Sequence, residues 1–509
     1  MTGVLIRGCK VAGRTLGSVY CEGGKVAKIS EDETQAVPSG TEVVDANGGA
    51  LFIGFADTHC HPFEYGWLKR SVDLRGTTNV TGIRLRLQGG IRRAKPGEWV
   101  TGMGWDQEAM AGGAMPKRAD IDDVSPSNPV ALSRVCGHIA LLNSRAIVEL
   151  GLEGRTGEEY ERDQAGSLTG IVKERVLTEV YGRIPRSSER SAADLQSVEA
   201  EAARLGLTAM HCIVSPEGFR EELGALASLD AGGSLSLRYR VYIPPEALDF
   251  AEEGRFRERF AGGMVRLNGV KIYGDGSLGA RTAALRQPYS DAPSNSGMLR
   301  HSDEELAGLV EKADAKGYQV IVHAIGDRAV EQAVEALGRV AGSRNPRRHR
   351  IEHASLLPRD IRSKMARHGI RAAVQPLFVT SDTWAPARLG DERVRDLYPF
   401  RSMLEDGIVT SGGSDCPVES PGPILGIWAA MTRGGSTPDE CLNLAQAVSL
   451  YTSNAAANGS DDAVLEEGAG ANLTVIDSDP EGMHPALLRK VGVLATIVNG
   501  NVVHSFGSA

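Results

Sequence analysis

The chain has 509 residues, of which 41% are hydrophobic and 24% charged, with a formal net charge of −9 at pH 7. This composition is typical of a globular protein, and the negative charge argues against nucleic acid or an anionic membrane as the main partner. No apolar run approaches the roughly 18 residues of a membrane span, and no signal peptide is expected. The seven cysteines form no C-x-x-C pair, which favours reduced thiols in a cytoplasmic protein.

Both ends of the chain have the pattern of short β-strands separated by glycine turns. Residues 4–29 and 471–504 each contain several such runs, and Asn499-Gly500 between two apolar runs predicts a hairpin. Neither end has enough residues for a core of its own. We therefore expect residues 1–55 and 457–509 to form one small β-sandwich domain.

The central residues, 56–456, alternate apolar strand-like runs with helical segments such as 303–313 and 328–337, which is typical of a parallel α/β fold. Eight runs are predicted, the number of strands in a closed (β/α)₈ TIM barrel. These runs are 51–56, 208–214, 237–243, 265–273, 318–323, 350–353, 370–375 and 407–411. The count of eight requires residues of about 66–200 to be an insertion after barrel strand 1. We expect strands at 99–103 and 130–135 within this insertion, and we expect the insertion to cover the active face.

The first run leads into His59 and His61, which leave one face of a strand together because they are two residues apart. Further polar residues stand within or just after later strands: Lys271, His323, His353 and Asp415. A lone histidine at a strand end is more often structural, but so many at successive strand ends favour a metal site. Four histidines and a carboxylate suit zinc or another divalent transition metal better than magnesium or calcium.

The motifs resemble those of the metal-dependent amidohydrolase superfamily, in the YtcJ-like branch that includes N-substituted formamide deformylase. The resemblance covers nearly the whole chain and rests on residues 56–62, 166–174, 269–282, 322–327, 350–353 and 412–417. It implies a metal-bearing barrel with a split β-sandwich.

The resemblance also implies roles for individual residues. His59, His61 and Asp415 would hold one zinc ion, and His323 with His353 a second. Lys271 would be N6-carboxylated and bridge the ions if there are two, and one ion is expected if it is unmodified.

The expected activity is that of an amidohydrolase, which cleaves a non-peptide C–N bond of an N-substituted formamide or small amide. The metal would lower the pKa of water from 15.7 toward about 7 and so supply hydroxide to attack the carbonyl. Asp415 would accept the proton as general base and return it to the leaving nitrogen as general acid.

Four further residues are candidate substrate contacts, each with a structural alternative. His138 and Glu174 lie in the insertion, where Glu174 alternatively pairs with an arginine. His211 ends barrel strand 2, with packing as its alternative, and Arg281 either orients an anionic substrate or pairs with Asp275. Cys60 is expected in the core.

Two other functions stay open. A deaminase or cyclic-amide hydrolase would use the same scaffold, although deaminases of the superfamily place a glutamate near the strand-five histidine and residues 322–326 contain none. A non-catalytic relative would be expected to have lost a ligand, and none is missing. The expected partner is a small-molecule amide, with a homodimer as an alternative to a monomeric protein.

Overall fold

The computed structural model describes residues 3–506 apart from 12–13, 33–35, 111–112, 114, 135–138, 174, 261–262 and 460–463. The strands of these residues form three sheets. Residues 63–194 make one compact unit, and residues 1–62 with 195–509 make the other. None of the described helices is both long enough and apolar enough to cross a bilayer.

Strands from both ends of the chain pair in one eight-stranded sheet with its own buried core. The two ends meet where Ala50–Ile53 pairs antiparallel with Leu473–Ile476. The predicted hairpin at Asn499-Gly500 is confirmed by the antiparallel pairing of its two strands. Across the sheet the strands are Asn501–Ser505, Val493–Val498, Leu473–Ile476, Ala50–Ile53, Val4–Val11, Arg14–Glu22 and Lys25–Ser30, with Glu42–Asp45 also paired to Val4–Val11.

The prediction of a single strand over residues 51–56 is wrong. The chain leaves the end sheet after Ala50–Ile53 and enters the barrel with Ala56–Cys60. Between them Gly54 has a φ of +92°, a backbone conformation open to glycine but costly for other residues. An apolar run in sequence therefore spans two different sheets, because both are buried here and hydrophobicity does not distinguish them.

Eight parallel strands form the barrel, each beside the next in chain order. They are β1 (Ala56–Cys60), β2 (Ala209–Ile213), β3 (Arg238–Ile243), β4 (Val265–Tyr273), β5 (Gln319–Ala324), β6 (Arg350–His353), β7 (Arg371–Val374) and β8 (Thr410–Gly412). Beyond β8, the Asp415 N–H donates to the His59 carbonyl at 2.7 Å and the His61 N–H to the Cys416 carbonyl at 2.9 Å. The predicted α/β barrel is confirmed.

Helices separate the barrel strands, as expected for parallel neighbours that need a crossover. The predicted helices at 303–313 and 328–337 are both present, and Ser302 caps the first of them through the Glu305 N–H at 3.2 Å. The helices after β2 are Phe219–Ala231, Leu248–Glu253, Phe256–Arg259, Asp303–Ala315, Asp327–Ala341, Arg359–Arg367, Phe378–Ser381, Ala385–Arg393, Phe400–Glu405, Pro423–Thr432, Leu444–Ser449 and Ser453–Ala457.

The unit of residues 63–194 has a six-stranded sheet, and the strands predicted at 99–103 and 130–135 are among its members. In sheet order they are Tyr160–Arg162, Leu168–Lys173, Ile139–Leu142, Val130–Arg134, Val100–Trp105 and Val72–Asp73. Helices between β1 and β2 are Pro62–Arg70, Val80–Arg93, Ser144–Leu150, Arg175–Arg183 and Ser188–Arg204. The predicted bounds of the β-sandwich domain and of the barrel, and the prediction that the insertion covers the active face, stay predictions.

The join between the two ends of the barrel sheet leaves no room for a side chain at Gly413. A Cβ placed there would lie 2.7 Å from both the backbone nitrogen and the Cβ of His59. We expect Gly413→Ala to lower the free energy of unfolding by about 1–3 kcal/mol, the usual cost of overpacking.

Gly308 provides the control, because it is exposed in the helix Asp303–Ala315 and a Cβ there has no neighbour within 4 Å. Gly308→Ala should raise the free energy of unfolding by about 0.5–1 kcal/mol. Urea denaturation measures both variants. A Gly413→Ala protein as stable as wild type would contradict the close approach of the two strands.

Candidate metal centre

His59, His61 and Asp415 converge where the first and last barrel strands meet. The Asp415 Oδ1 atom lies 3.2 Å from His59 Nε2 and 3.3 Å from His61 Nε2. One ligand atom from each residue lies within 4.8 Å of the other two. Burial opposes ionisation of Asp415, but the neighbouring histidines outweigh it and hold the pKa of this carboxyl well below its usual range. The three residues therefore present two imidazoles and one carboxylate.

Asp57 fixes the loop that carries Asp415. Its carboxylate accepts the His59 N–H at 3.1 Å, the Ser414 N–H at 3.0 Å and the Ser414 hydroxyl at 2.5 Å. Burial raises the pKa of Asp57 to about 6, opposed by these hydrogen bonds. Asp57 therefore ties β1, which leads into the histidine pair, to the turn that carries Asp415.

His323 and His353 lie beside this group, at the ends of β5 and β6. The His353 ring centroid is 4.7 Å from that of His59 and 4.5 Å from that of His323. His353 uses Nδ1 to contact Gln375 Oε1 at 2.7 Å, and His323 uses Nε2 to contact the Gly276 carbonyl at 3.0 Å. Each ring therefore keeps its other nitrogen as a candidate ligand atom.

Burial sets the protonation of these two histidines. It lowers the pKa of His323 to about 3, with a further contribution from Lys271, and it lowers the pKa of His353 well below the usual value. Both imidazoles are therefore neutral at pH 7. The neutral form is the one that binds a metal.

Lys271 is 1% exposed on β4. Its Nζ atom has no hydrogen-bond partner among the described residues and stands 5.0 Å from the centroid of the Tyr273 ring. Burial lowers the pKa of Lys271 to about 8, although the charges of Glu352 and Asp415 oppose the shift. A buried amine without a partner is costly as an ammonium ion, so burial favours the neutral form of Lys271.

Sequence reasoning missed the groups that hold the candidate ligands. Glu352, fully buried on β6, contacts His59 Nδ1 through Oε2. Burial alone would raise the pKa of Glu352, but the charge of Arg350 and the hydrogen-bonded contact with His59 outweigh burial and lower it to about 2. The available signal was a carboxylate inside an otherwise buried strand, directly before His353.

A second missed carboxylate is Asp275, which lies 3.4 Å from His323 Nε2. Its two oxygens accept the backbone N–H groups of Ile325, Gly326 and Ala284 at 2.9–3.1 Å. Burial raises the pKa of Asp275 to about 7, opposed by those three bonds. Asp275 therefore ties the segment after β4 to the turn after β5.

The four candidate substrate contacts have different outcomes. His138 and Glu174 lie outside the described residues. His211 lies in the middle of β2 rather than at its end, fully buried, with its ring stacked on Tyr242 at 5.7 Å. This position favours the packing alternative for His211.

The pairing of Arg281 with Asp275 is wrong. Arg281 instead donates to the two carboxylate oxygens of Asp291 at 3.1 and 2.8 Å, because Asp275 is buried and already accepts backbone N–H groups. Cys60 is buried as expected, and its thiol donates to the His211 carbonyl at 3.3 Å.

The residues present fit a divalent metal. Besides Lys271 Nζ, the His59 Nε2 atom is buried and has no hydrogen-bond partner among the described residues. Nitrogen and carboxylate donors of this kind suit zinc and its neighbours among the transition metals.

Comparison with known proteins identifies the family. Residues 42–504 match the model of the amidohydrolase family. The chain is 31% identical to the Bacillus subtilis (strain 168) protein named as the amidohydrolase YtcJ, over 96% of each chain. It is 27% identical to the N-substituted formamide deformylase of Arthrobacter pascens, over 95% of this chain and 94% of that one.

A solved structure extends the likeness to three dimensions. An uncharacterized metal-dependent hydrolase from Pyrococcus horikoshii OT3 matches with a TM-score of 0.83 and 30% identity, over 95% of this chain and 99% of that one. The chain therefore belongs to the amidohydrolase family and is a YtcJ-like hydrolase of carbon–nitrogen bonds, as its motifs predicted.

Proposed function

We propose that the protein is a zinc-dependent hydrolase that cleaves the C–N bond of an N-substituted formamide or another small amide. The convergence of His59, His61 and Asp415 beside His323 and His353 carries this proposal. The similarity to an N-substituted formamide deformylase supports the substrate class. The substrate is a small molecule, and the protein works in the cytoplasm.

His59, His61 and Asp415 would hold one ion, and His323 with His353 a second. Lys271 would bridge them as a carbamate, formed when its neutral amine adds CO₂ and releases one proton. The lowered pKa of Lys271, about 8 through burial, supports this step because more of the amine is neutral at physiological pH than for an exposed lysine. The carbamate would place a negative charge beside the ions, where an ammonium would repel them.

Bound zinc would lower the pKa of a water molecule and polarise the substrate carbonyl. Asp415 is the general base, because its carboxylate is ionised and lies beside His59 and His61. It accepts the proton of the attacking water and gives it to the leaving nitrogen, so that the amine departs neutral. The neutral rings of His323 and His353 serve as ligands and take no proton.

The deaminase alternative requires a glutamate near His323. The carboxylate beside that ring is Asp275, which is already engaged by three backbone N–H groups. This favours amide hydrolysis over deamination. Specificity is proposed to reside in the loops and in the insertion of about residues 66–200, as expected for an insertion after a barrel strand.

Replacing the proposed base should remove the reaction while leaving the metal. Asp415→Asn is expected to reduce kcat by on the order of 10²–10⁴-fold, the usual contribution of a general acid-base group. Zinc content, measured by atomic absorption, should remain at half the wild-type value or above, because the amide oxygen can still bind the ion. Asp230→Asn is the control. The Asp230 carboxylate accepts the Met264 N–H at 3.0 Å, just before the first residue of β4 and so at the end of that strand away from the candidate ligands. An Asp415→Asn enzyme with wild-type kcat would contradict the assignment.

The proposed modification of Lys271 determines how many zinc ions each chain should hold. Wild-type protein purified in zinc-containing buffer should hold two ions per chain, and Lys271→Met should hold one, because the bridging carbamate is lost. Lys312→Met, at a half-exposed lysine on the helix Asp303–Ala315, should keep two. One ion in wild type would refute the carbamate and leave a mononuclear site.

The substrate class is tested by a screen. Zinc-loaded enzyme should release amine from N-substituted formamides faster than from acetamides of the same amine, and faster than it opens cyclic amides. Amine release, followed by a colorimetric assay, compares kcat/KM across the three sets. Preference for a cyclic amide would overturn the proposed substrate and keep the reaction type.

A further inference from the structure

A buried ion pair on β6 contacts the first histidine of β1 from across the barrel interior. Arg350 and Glu352 are each fully buried, and the Arg350 Nε atom donates to Glu352 Oε1 at 2.5 Å. The second carboxylate oxygen, Oε2, contacts His59 Nδ1. Glu352 thus uses one oxygen for the arginine and the other for the histidine.

The remaining donors of Arg350 anchor its guanidinium to β1, β2, β3 and Asn458. Nη2 donates to the Thr58 carbonyl of β1 at 2.9 Å, and Nη1 to the Asn458 carbonyl at 3.0 Å. Nη1 also lies 3.2 Å from the Tyr242 hydroxyl on β3 and 3.1 Å from His211 Nδ1 on β2. Because Arg350 only donates, His211 Nδ1 is the acceptor in that contact. The guanidinium, and with it Glu352, is therefore fixed from several sides.

An ion pair this deeply buried is a poor source of stability, because the cost of removing both charges from water offsets most of their attraction. A contact to one ring nitrogen of a histidine, in contrast, determines which nitrogen carries the hydrogen and how the ring is turned. Glu352 Oε1 accepts from Arg350 and Oε2 faces His59 Nδ1, so the carboxylate is the acceptor in this contact and His59 Nδ1 carries the hydrogen. The lone pair then falls on Nε2, the atom that faces Asp415 and has no hydrogen-bond partner among the described residues.

We propose that Glu352, fixed by Arg350, is a positioning residue that holds His59 as the Nδ1–H tautomer and so makes Nε2 the ligand atom. The inference rests on the proposed function, since it concerns the proposed zinc site. It adds a residue that contacts neither substrate nor reacting atoms and acts through His59 alone. It also gives His211 and Tyr242 a role, namely to hold the guanidinium of Arg350.

The test measures zinc affinity rather than activity. Glu352→Gln should weaken the affinity for Zn²⁺ by about 10–100-fold, the usual effect of losing a carboxylate behind a metal-binding histidine. Affinity is measured by competition with a chromophoric chelator. Folding of the metal-free variant is checked by its urea denaturation curve, so that a loss of structure is not mistaken for a loss of affinity.

Glu199→Gln is the matched control. Glu199 is also buried, at 3% exposure, and accepts the Ser236 N–H, the Leu237 N–H and the Tyr239 hydroxyl at 3.0–3.1 Å, with no contact to a candidate ligand. Its replacement should cost stability and leave the zinc affinity unchanged. Glu352→Gln with wild-type affinity would overturn the inference. Equal losses of affinity in the two variants would overturn it as well.

A second variant covers the case in which Glu352→Gln does not fold. Glu352→Asp keeps the charge opposite Arg350 but shortens the reach to His59, so it should also bind Zn²⁺ more weakly. With Co²⁺ in place of Zn²⁺, the visible absorption bands should shift relative to wild type, because the ring of His59 is no longer held. Unchanged affinity and spectrum in folded Glu352→Asp would refute the positioning role.

Different results would contradict the proposed function and the positioning role of Glu352. A wild-type protein that binds no divalent metal would contradict the proposed function and this inference together. Wild-type zinc binding that neither Glu352 variant weakens would contradict the inference alone.

Discussion

The candidate site depends on how the turn after the last barrel strand is held against the first. Two main-chain hydrogen bonds join residues about 350 positions apart, from Asp415 to His59 and from His61 to Cys416. Asp57 adds side-chain bonds from β1 to the same turn. Asp415 lies beside both histidines because hydrogen bonds join β1 to the turn after β8 at several points. The geometry of the site therefore depends on the closure of the barrel.

Burial then decides the chemical state of the groups that meet there. The low dielectric of the interior disfavours charge, which keeps His323 and His353 neutral and leaves Lys271 with a lowered pKa. Asp415 and Glu352 stay ionised because charged or hydrogen-bonding neighbours outweigh the effect of burial. The barrel interior thus provides neutral nitrogen ligands and a carboxylate at the same place.

The end sheet constrains the site indirectly. The Thr474 hydroxyl lies within hydrogen-bond distance of the carbonyl oxygens of Gly54 and Gly206, at 2.6 and 2.7 Å, just before β1 and β2. Strands from both chain ends therefore hold the point at which the chain crosses from one sheet to the other. This accounts for an apolar run that the sequence alone assigns to a single strand.

Seven of the eight barrel strands, β2 to β8, and the candidate ligands within or after them were predictable from the sequence, because apolar runs of strand length and polar residues at their ends are local patterns. The break at Gly54, the role of Glu352 and the partner of Arg281 were not. Each depends on which distant segment lies opposite: Glu352 meets His59 across 293 positions of sequence. Local sequence pattern determined which residues end the strands. Only tertiary packing decided which atoms face one another, because strand pairing and burial bring together segments that lie far apart in the sequence.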